Sequence, residues 1–108
     1  MKLSKFEKAR RKAMLKQLEQ DEGIVYFNPD SGVTVAVKPS IKGSKARYAQ
    51  MAVSMCSEND KPRRKNGEYE ALCNLYSGVS IPVKIENWKN AEGWKTCVTA
   101  VFSRNRFL

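Results

Sequence analysis

Few side chains in this 108-residue chain are suited to covalent or metal chemistry. Three cysteines, Cys56, Cys73 and Cys97, are widely spaced, and no Cys-x-x-Cys pair occurs. The chain contains no histidine, which removes the commonest general base and the Ser–His and Cys–His nucleophile pairs. A zinc site would need a fourth ligand besides the three thiols. We therefore expect no metal and no cofactor. The thiols are expected to be reduced, as in a cytoplasmic protein, and to pack as small apolar groups.

The eleven carboxylates do not form a catalytic pattern either. Most of them alternate with Lys and Arg along the chain, and none has the spacing of a calcium loop. Glu68 and Glu70 are two residues apart and therefore point to different sides of a helix, while Asp21 and Glu22 are adjacent at a helix end. The sequence thus predicts a protein that is not an enzyme and has no catalytic residues.

Positive charge is the strongest chemical signal of the sequence. The chain has 20 basic and 11 acidic residues, a formal net charge of +9. Four cations lie within five residues, in the run Lys61-Pro62-Arg63-Arg64-Lys65. A cationic cluster at the start of a helix favours phosphate, helped by free backbone N–H groups, or the acidic surface of a partner. A solvated loop that only aids solubility is the alternative interpretation.

Two further basic segments extend this prediction. In the amino-terminal segment lysines three and four residues apart share one helix face, and the carboxyl-terminal tail is basic as well. For the helix, the alternative is that the lysines are simply its solvent-exposed side. The predicted anion-binding residues are Lys5, Lys8, Arg11, Lys12, Lys61, Arg63, Arg64, Lys65, Arg104 and Arg106.

Several aromatic residues are close to cations in the sequence. Exposed aromatic rings would allow bases of a single strand to stack on them. For most of these rings, packing in the core or in a hairpin is the simpler interpretation. The residues concerned are Tyr26, Phe27, Tyr48, Trp88 and Trp94.

Two helices are predicted to carry these cations. The first spans Ser4 to Gln20, within a basic segment 1–22, because Ser4 and Glu7 form a capping box and Gly23 is suited to end it. The second spans Asp60 to Ser77, with Asp60 as cap, Gly78 as the terminating residue and a buried stripe formed by Tyr69, Leu72, Cys73 and Tyr76. A glycine inside a helix costs about 1 kcal/mol relative to alanine, so Gly67 leaves a later start at Asn66 open.

The remaining segments predict strands. Residues 23–38 form a hairpin around the turn residues Asn28 to Gly32, and Val33, Val35 and Val37 alternate as in a strand with one buried face. Residues 45–57 suit a strand or a helix, and we favour the strand. Residues 79–86 suit an edge strand, since Pro82 lacks an N–H, and residues 94–103 a final strand.

This order, α-β-β-β-α-β-β, predicts one small α+β domain over residues 1–108. We expect a mostly antiparallel sheet with two helices packed on it. No apolar run approaches the length that spans a bilayer, and no apolar stretch follows the basic amino terminus. We therefore expect neither a membrane segment nor a secretory signal.

The segment 53–72 resembles a pattern found in small, uncharacterised accessory proteins of tailed bacteriophages. In those proteins a strand that ends near Cys-Ser, here Cys56-Ser57, is followed by an Asp that starts a helix rich in Arg and Lys and containing Gly. The chain departs from that pattern at Pro62, where an aromatic residue is frequent. The resemblance covers about a fifth of the chain. It implies a phage-type accessory protein in the host cytoplasm and assigns no catalytic residue.

Two hypotheses for function follow. The first is binding of nucleic acid through a basic surface, with mainly electrostatic affinity. The second is a small non-catalytic module that binds and inhibits a host protein through an acidic patch on that partner. The first requires the basic segments to form one continuous surface once the chain folds.

Overall fold

A computed structural model describes residues 2–40, 48–56 and 63–84 of the chain. It confirms a small α+β fold with two helices and an antiparallel sheet. The elements in chain order are α1 (Lys5–Gln20), β1 (Ile24–Asn28), β2 (Val33–Pro39), β3 (Tyr48–Met55), α2 (Arg64–Tyr76) and β4 (Ile81–Lys84). The final strand predicted at residues 94–103 lies outside the described residues.

The four strands pair in the order β1-β2-β3-β4, and every pair is antiparallel. Residues 48–55 form a strand, as favoured over a helix, and β4 with Pro82 lies at an edge of these four strands. The predicted hairpin is confirmed as β1 and β2. Its turn is held by Asn28, whose carbonyl accepts from the Gly32 amide at 2.9 Å and whose side chain accepts from the Asp30 amide at 2.9 Å.

Both faces of β2 are buried, whereas the sequence pattern predicts one. Val33, Val35 and Val37 pack with Ala49 and Met51 of β3 on one face of the sheet. The intervening residues lie on the other face, against the helices, and Thr34 and Ala36 are fully buried there. Small side chains at these positions let the helices approach the sheet. The alternation of valines with smaller residues in β2 therefore does not mark a solvent-exposed face.

Helix α1 begins at the predicted capping box. The Glu7 amide donates to Ser4 Oγ at 3.1 Å, and the Ser4 amide donates to Glu7 Oε1 at 2.9 Å. Met14 and Leu18 of this helix are buried, whereas Phe6 is 72% exposed. Burial of the sequence-adjacent Leu15 is partial.

The carboxyl end of α1 differs from the prediction by one residue. Glu22, and not Gly23, adopts the left-handed conformation, with φ 62°. The Gly23 amide donates to the Leu18 carbonyl at 2.8 Å and the Glu22 amide to that of Glu19 at 3.1 Å, the hydrogen bonds of a Schellman motif. Gly23 is instead required for space, because a Cβ there would clash with Leu18 and with the Val37 carbonyl.

Helix α2 begins at Arg64, so the predicted cap at Asp60 is wrong. Arg63 stands at the N-cap position in an extended conformation. Gly67 lies inside the helix, and Gly78, with φ 88°, ends it as predicted. The buried stripe is rotated from the predicted one: its centre is Glu68, Ala71, Leu72 and Leu75, while Tyr69, Cys73 and Tyr76 flank it.

The two helices run parallel to each other on the sheet. Near their amino ends, Arg11 Nη2 of α1 donates to Glu68 Oε1 of α2 at 2.9 Å. Near their carboxyl ends, the Tyr76 hydroxyl donates to Asp21 Oδ2 at 2.9 Å. Because the contacts advance along both helices in the same direction, the two amino ends lie at the same end of the molecule.

Candidate nucleic-acid interface

The parallel helices concentrate positive charge at one end of the molecule. We call residues 2–12, 28–32 and 63–70 the cationic end; they comprise the amino ends of both helices and the β1–β2 turn, and hold nine basic and four acidic side chains. The opposite end, residues 16–24, 36–40, 48–50 and 74–84, holds three of each. The described part of the chain therefore carries its whole charge excess at one end.

Helix α2 begins with consecutive cations. Arg63, Arg64 and Lys65 are all exposed, and the Arg63 side chain, being a donor, does not cap the first amides. Cations at the positive end of a helix dipole are unfavourable for the isolated helix. An anion placed there would be attracted both by the side-chain charges and by the positive end of the helix dipole.

Helix α1 presents its predicted lysine face to solvent. Lys5, Lys8 and Lys12 are exposed, and their spacing places them on one side of the helix. The acid nearest to them in sequence, Glu7, is engaged with Ser4 in the capping box. These three ammonium groups are thus exposed at the same end of the molecule as the cations that begin α2.

Arg11 differs from the other predicted binding residues. Its Nε and Nη2 donate to Glu68 Oε1 at 3.2 and 2.9 Å, and the side chains of Arg11 and Glu68 are only 16% and 7% exposed. Arg64 Nε approaches Glu68 Oε2 at 3.6 Å, with a side chain that is 75% exposed. The buried pair joins the two helices, so Arg11 serves the packing of the interface, while Arg64 remains open to solvent.

The structure brings together some predicted residues and not others. Lys5, Lys8, Arg11, Lys12, Arg63, Arg64 and Lys65 all lie at the cationic end. Lys61, Arg104 and Arg106 lie outside the described residues. Lys38 lies at the opposite end, and its Nζ is 5.2 Å from the centre of the Tyr76 ring, a cation–π distance.

A cleft of about 300 Å³ opens at the cationic end. Its walls come from the amino ends of both helices and from the ends of β1 and β3. Phe27 and Tyr69 contribute aromatic rings to it, and Lys2 and Arg63 contribute cations. The sequence does not predict this cleft. The hairpin and the start of α2 can each be predicted locally, but their proximity in the fold cannot.

Hydrogen bonds at the ends of the helices change the pKa values of two side chains. The Ser4 amide and then the Ser4 hydroxyl, both bonded to Glu7, lower the pKa of the Glu7 carboxyl below its ordinary value. Burial, followed by the hydrogen bond to Asp21 and the charge of Asp21, raises the pKa of the Tyr76 hydroxyl. Both groups therefore keep their usual charge at neutral pH, Glu7 ionised and Tyr76 neutral.

Comparison with protein-family models, curated proteins and solved structures gave no match to this chain. The resemblance to phage accessory proteins therefore stays a prediction. Within residues 2–40, 48–56 and 63–84, no group of three Cys, Asp or Glu side chains is placed to hold a metal ion. Neither of the two described helices has the length and apolar character needed to cross a membrane.

Proposed function

We propose that the protein binds nucleic acid without catalysis, through the cationic end, as an accessory protein of the phage type. The observation that carries the proposal is the convergence of two parallel helix amino ends, each bearing exposed Lys or Arg. Lys5 and Lys8 on α1 and Arg63, Arg64 and Lys65 on α2 are the residues that would contact phosphate.

The affinity expected of such a surface is electrostatic and falls with salt. In a plot of the logarithm of the binding constant against the logarithm of the salt concentration, each neutralised phosphate makes the slope more negative. The change is about 0.9 on duplex DNA and about 0.7 on a single strand. Titration of the protein with duplex and single-stranded oligonucleotides at two salt concentrations measures this slope. Absence of binding to both at low salt would contradict the proposal.

A protein partner with an acidic surface is the second candidate, and Phe6 is the observation that favours it. Its side chain is 72% exposed and is flanked by the lysines of α1. An exposed aromatic ring surrounded by charge is a common anchor at protein interfaces. Capture from a nuclease-treated bacterial lysate separates the two candidates. A stoichiometric acidic protein that is no longer captured by the Phe6→Ala variant supports the protein partner. Loss of all bound material on nuclease treatment supports nucleic-acid binding.

A further inference from the structure

The cleft at the cationic end combines aromatic, cationic and acidic side chains. Phe27 and Tyr69 line it with half-buried aromatic rings, and Lys2 and Arg63 are exposed cations that line it from the starts of the two helices. Its volume of about 300 Å³ is at the lower limit of small-molecule sites. Glu7 and Glu70 line it as well, so its charged side chains are two cations and two carboxylates. A ligand suited to it is small and aromatic, with its negative group placed towards Lys2 and Arg63.

A fixed hydrogen-bond acceptor completes the lining. Glu70 Oε2 accepts from Ser54 Oγ at 2.7 Å, and Ser54 is only 6% exposed. The bond anchors a carboxylate whose residue is otherwise exposed at the cleft. An anchored carboxylate favours ligands that present an N–H donor in the plane of an aromatic ring.

We propose that this cleft holds one unstacked base of single-stranded nucleic acid, with the base against Phe27 and Tyr69 and the adjoining phosphates on Lys2 and Arg63. The inference rests on the proposed function and narrows it from nucleic acid in general to a single strand. Bases inside a duplex are stacked and paired, and must leave the helix before they enter a pocket. The cationic surface outside the cleft still binds duplex phosphates, but more weakly.

The Glu70 carboxylate gives the cleft a preference among bases. Cytosine, adenine and guanine carry an exocyclic amino group, whereas the corresponding group of thymine is a carbonyl oxygen. A carboxylate accepts a hydrogen bond from the former and repels the latter. We therefore expect cytidine-containing ligands to bind more tightly than thymidine-containing or uridine-containing ones.

Cys56 offers a direct readout of this cleft. It lines the cleft and is half-buried, whereas Cys73 packs against the core outside it. We expect cytidine 5′-monophosphate to slow iodoacetamide labelling of Cys56, measured by peptide mass spectrometry, more than that of Cys73, which contacts Tyr69 but lies outside the cleft. Uridine 5′-monophosphate should slow it less, and ribose 5-phosphate should have little effect. Equal protection by all three compounds, or none by any, overturns the base site.

Polymer binding tests the inference independently. Phe27→Leu should lower the affinity for oligo(dC) by about fivefold or more, as expected for loss of one stacked base, and leave duplex affinity unchanged. Equal loss on both polymers overturns the base site and leaves the proposed function standing. Protection of Cys56 by the cytidine nucleotide without binding of any polymer at low salt overturns the proposed function and the placement of a polymer base in the cleft, and leaves only a mononucleotide site.

Discussion

Gly67 of α2 lies directly over Thr34 of β2. A Cβ at position 67 would clash with Thr34 Oγ1 and lie 3.2 Å from Thr34 Cβ and 3.6 Å from the Phe27 ring. The helix therefore touches the sheet through its backbone at this point, one turn after its cationic start. This close approach fixes the distance between the Arg63–Lys65 cluster and the end of β1, and so helps to form the cleft.

Gly67→Ala should destabilise the protein although alanine is the better helix former. The propensity gain of about 1 kcal/mol is outweighed by overpacking against the sheet, which costs about 1–3 kcal/mol. The free energy of unfolding in urea measures the net effect. Thr34→Ala removes the clashing hydroxyl, so Gly67→Ala should cost less in that background. A single Gly67→Ala variant more stable than the wild type would contradict the packing described.

Glu22→Gly should stabilise the protein by about 0.5–1 kcal/mol. Glu22 holds the left-handed position of the motif that ends α1, where a side chain is strained and glycine is not. The midpoint of thermal or urea unfolding measures the gain. Gly23→Ala is the matched control at the next residue and should destabilise, because a Cβ there would clash with the Val37 carbonyl. Equal changes in stability from the two substitutions would show that the left-handed conformation of Glu22 does not cause the gain.

Glu68→Gln should destabilise the protein by about 1–3 kcal/mol, because the half-buried Arg11 guanidinium then lacks its counter-charge. Arg64→Gln removes the other cation near Glu68, but that side chain is 75% exposed and its loss should change stability by less than about 0.5 kcal/mol. Urea unfolding of both variants gives the comparison. Similar losses in the two would contradict the assignment of Arg11 to the helix–helix contact.

Acid should weaken the start of α1 through Glu7. The pKa of Glu7 is lower in the folded protein than in the unfolded chain, so its ionised form stabilises the fold. That contribution is complete above the ordinary glutamate pKa of 4.5 and is lost as the pH falls through the lowered folded value. The stability difference between wild type and Glu7→Gln should therefore shrink on acidification below about pH 4.5. A difference that does not change between pH 7 and pH 3 would contradict it.

The elements that sequence reasoning predicts correctly have local causes. The capping box of Ser4 and Glu7, the turn at Asn28 and the glycine at position 78 act within a few residues, and a short window contains the whole determinant. Glu68 is different: its burial depends on Arg11, which is far away in sequence and comes close only when the helices lie parallel. Gly67 lies inside a helix, and Glu22 adopts a left-handed conformation that favours glycine. Both run against local propensity for the same reason, since tertiary contacts outweigh propensities of about 1 kcal/mol.

The candidate site was predictable only in part. The exposed cations of α1 and α2 can be predicted from the sequence, because the exposure of a surface Lys or Arg does not depend on a contact with a distant residue. Their placement at one end depends on the relative direction of the helices, which no local pattern contains. The same holds for the rings of Phe27 and Tyr69, which are distant in sequence and meet at the cleft.

A binding surface at the cationic end can be tested by the salt dependence of oligonucleotide binding in two charge-matched double variants. Lys5→Gln/Lys8→Gln removes two charges from the cationic end, and Lys38→Gln/Lys84→Gln removes two from the opposite end. The length of β3 separates the two ends by about 20 Å, which is twice the screening length of about 10 Å at 0.1 M salt. On duplex DNA the first pair should lower the salt slope by about 1.8 and the second should leave it unchanged. Equal slopes in the two variants would contradict a binding surface at the cationic end.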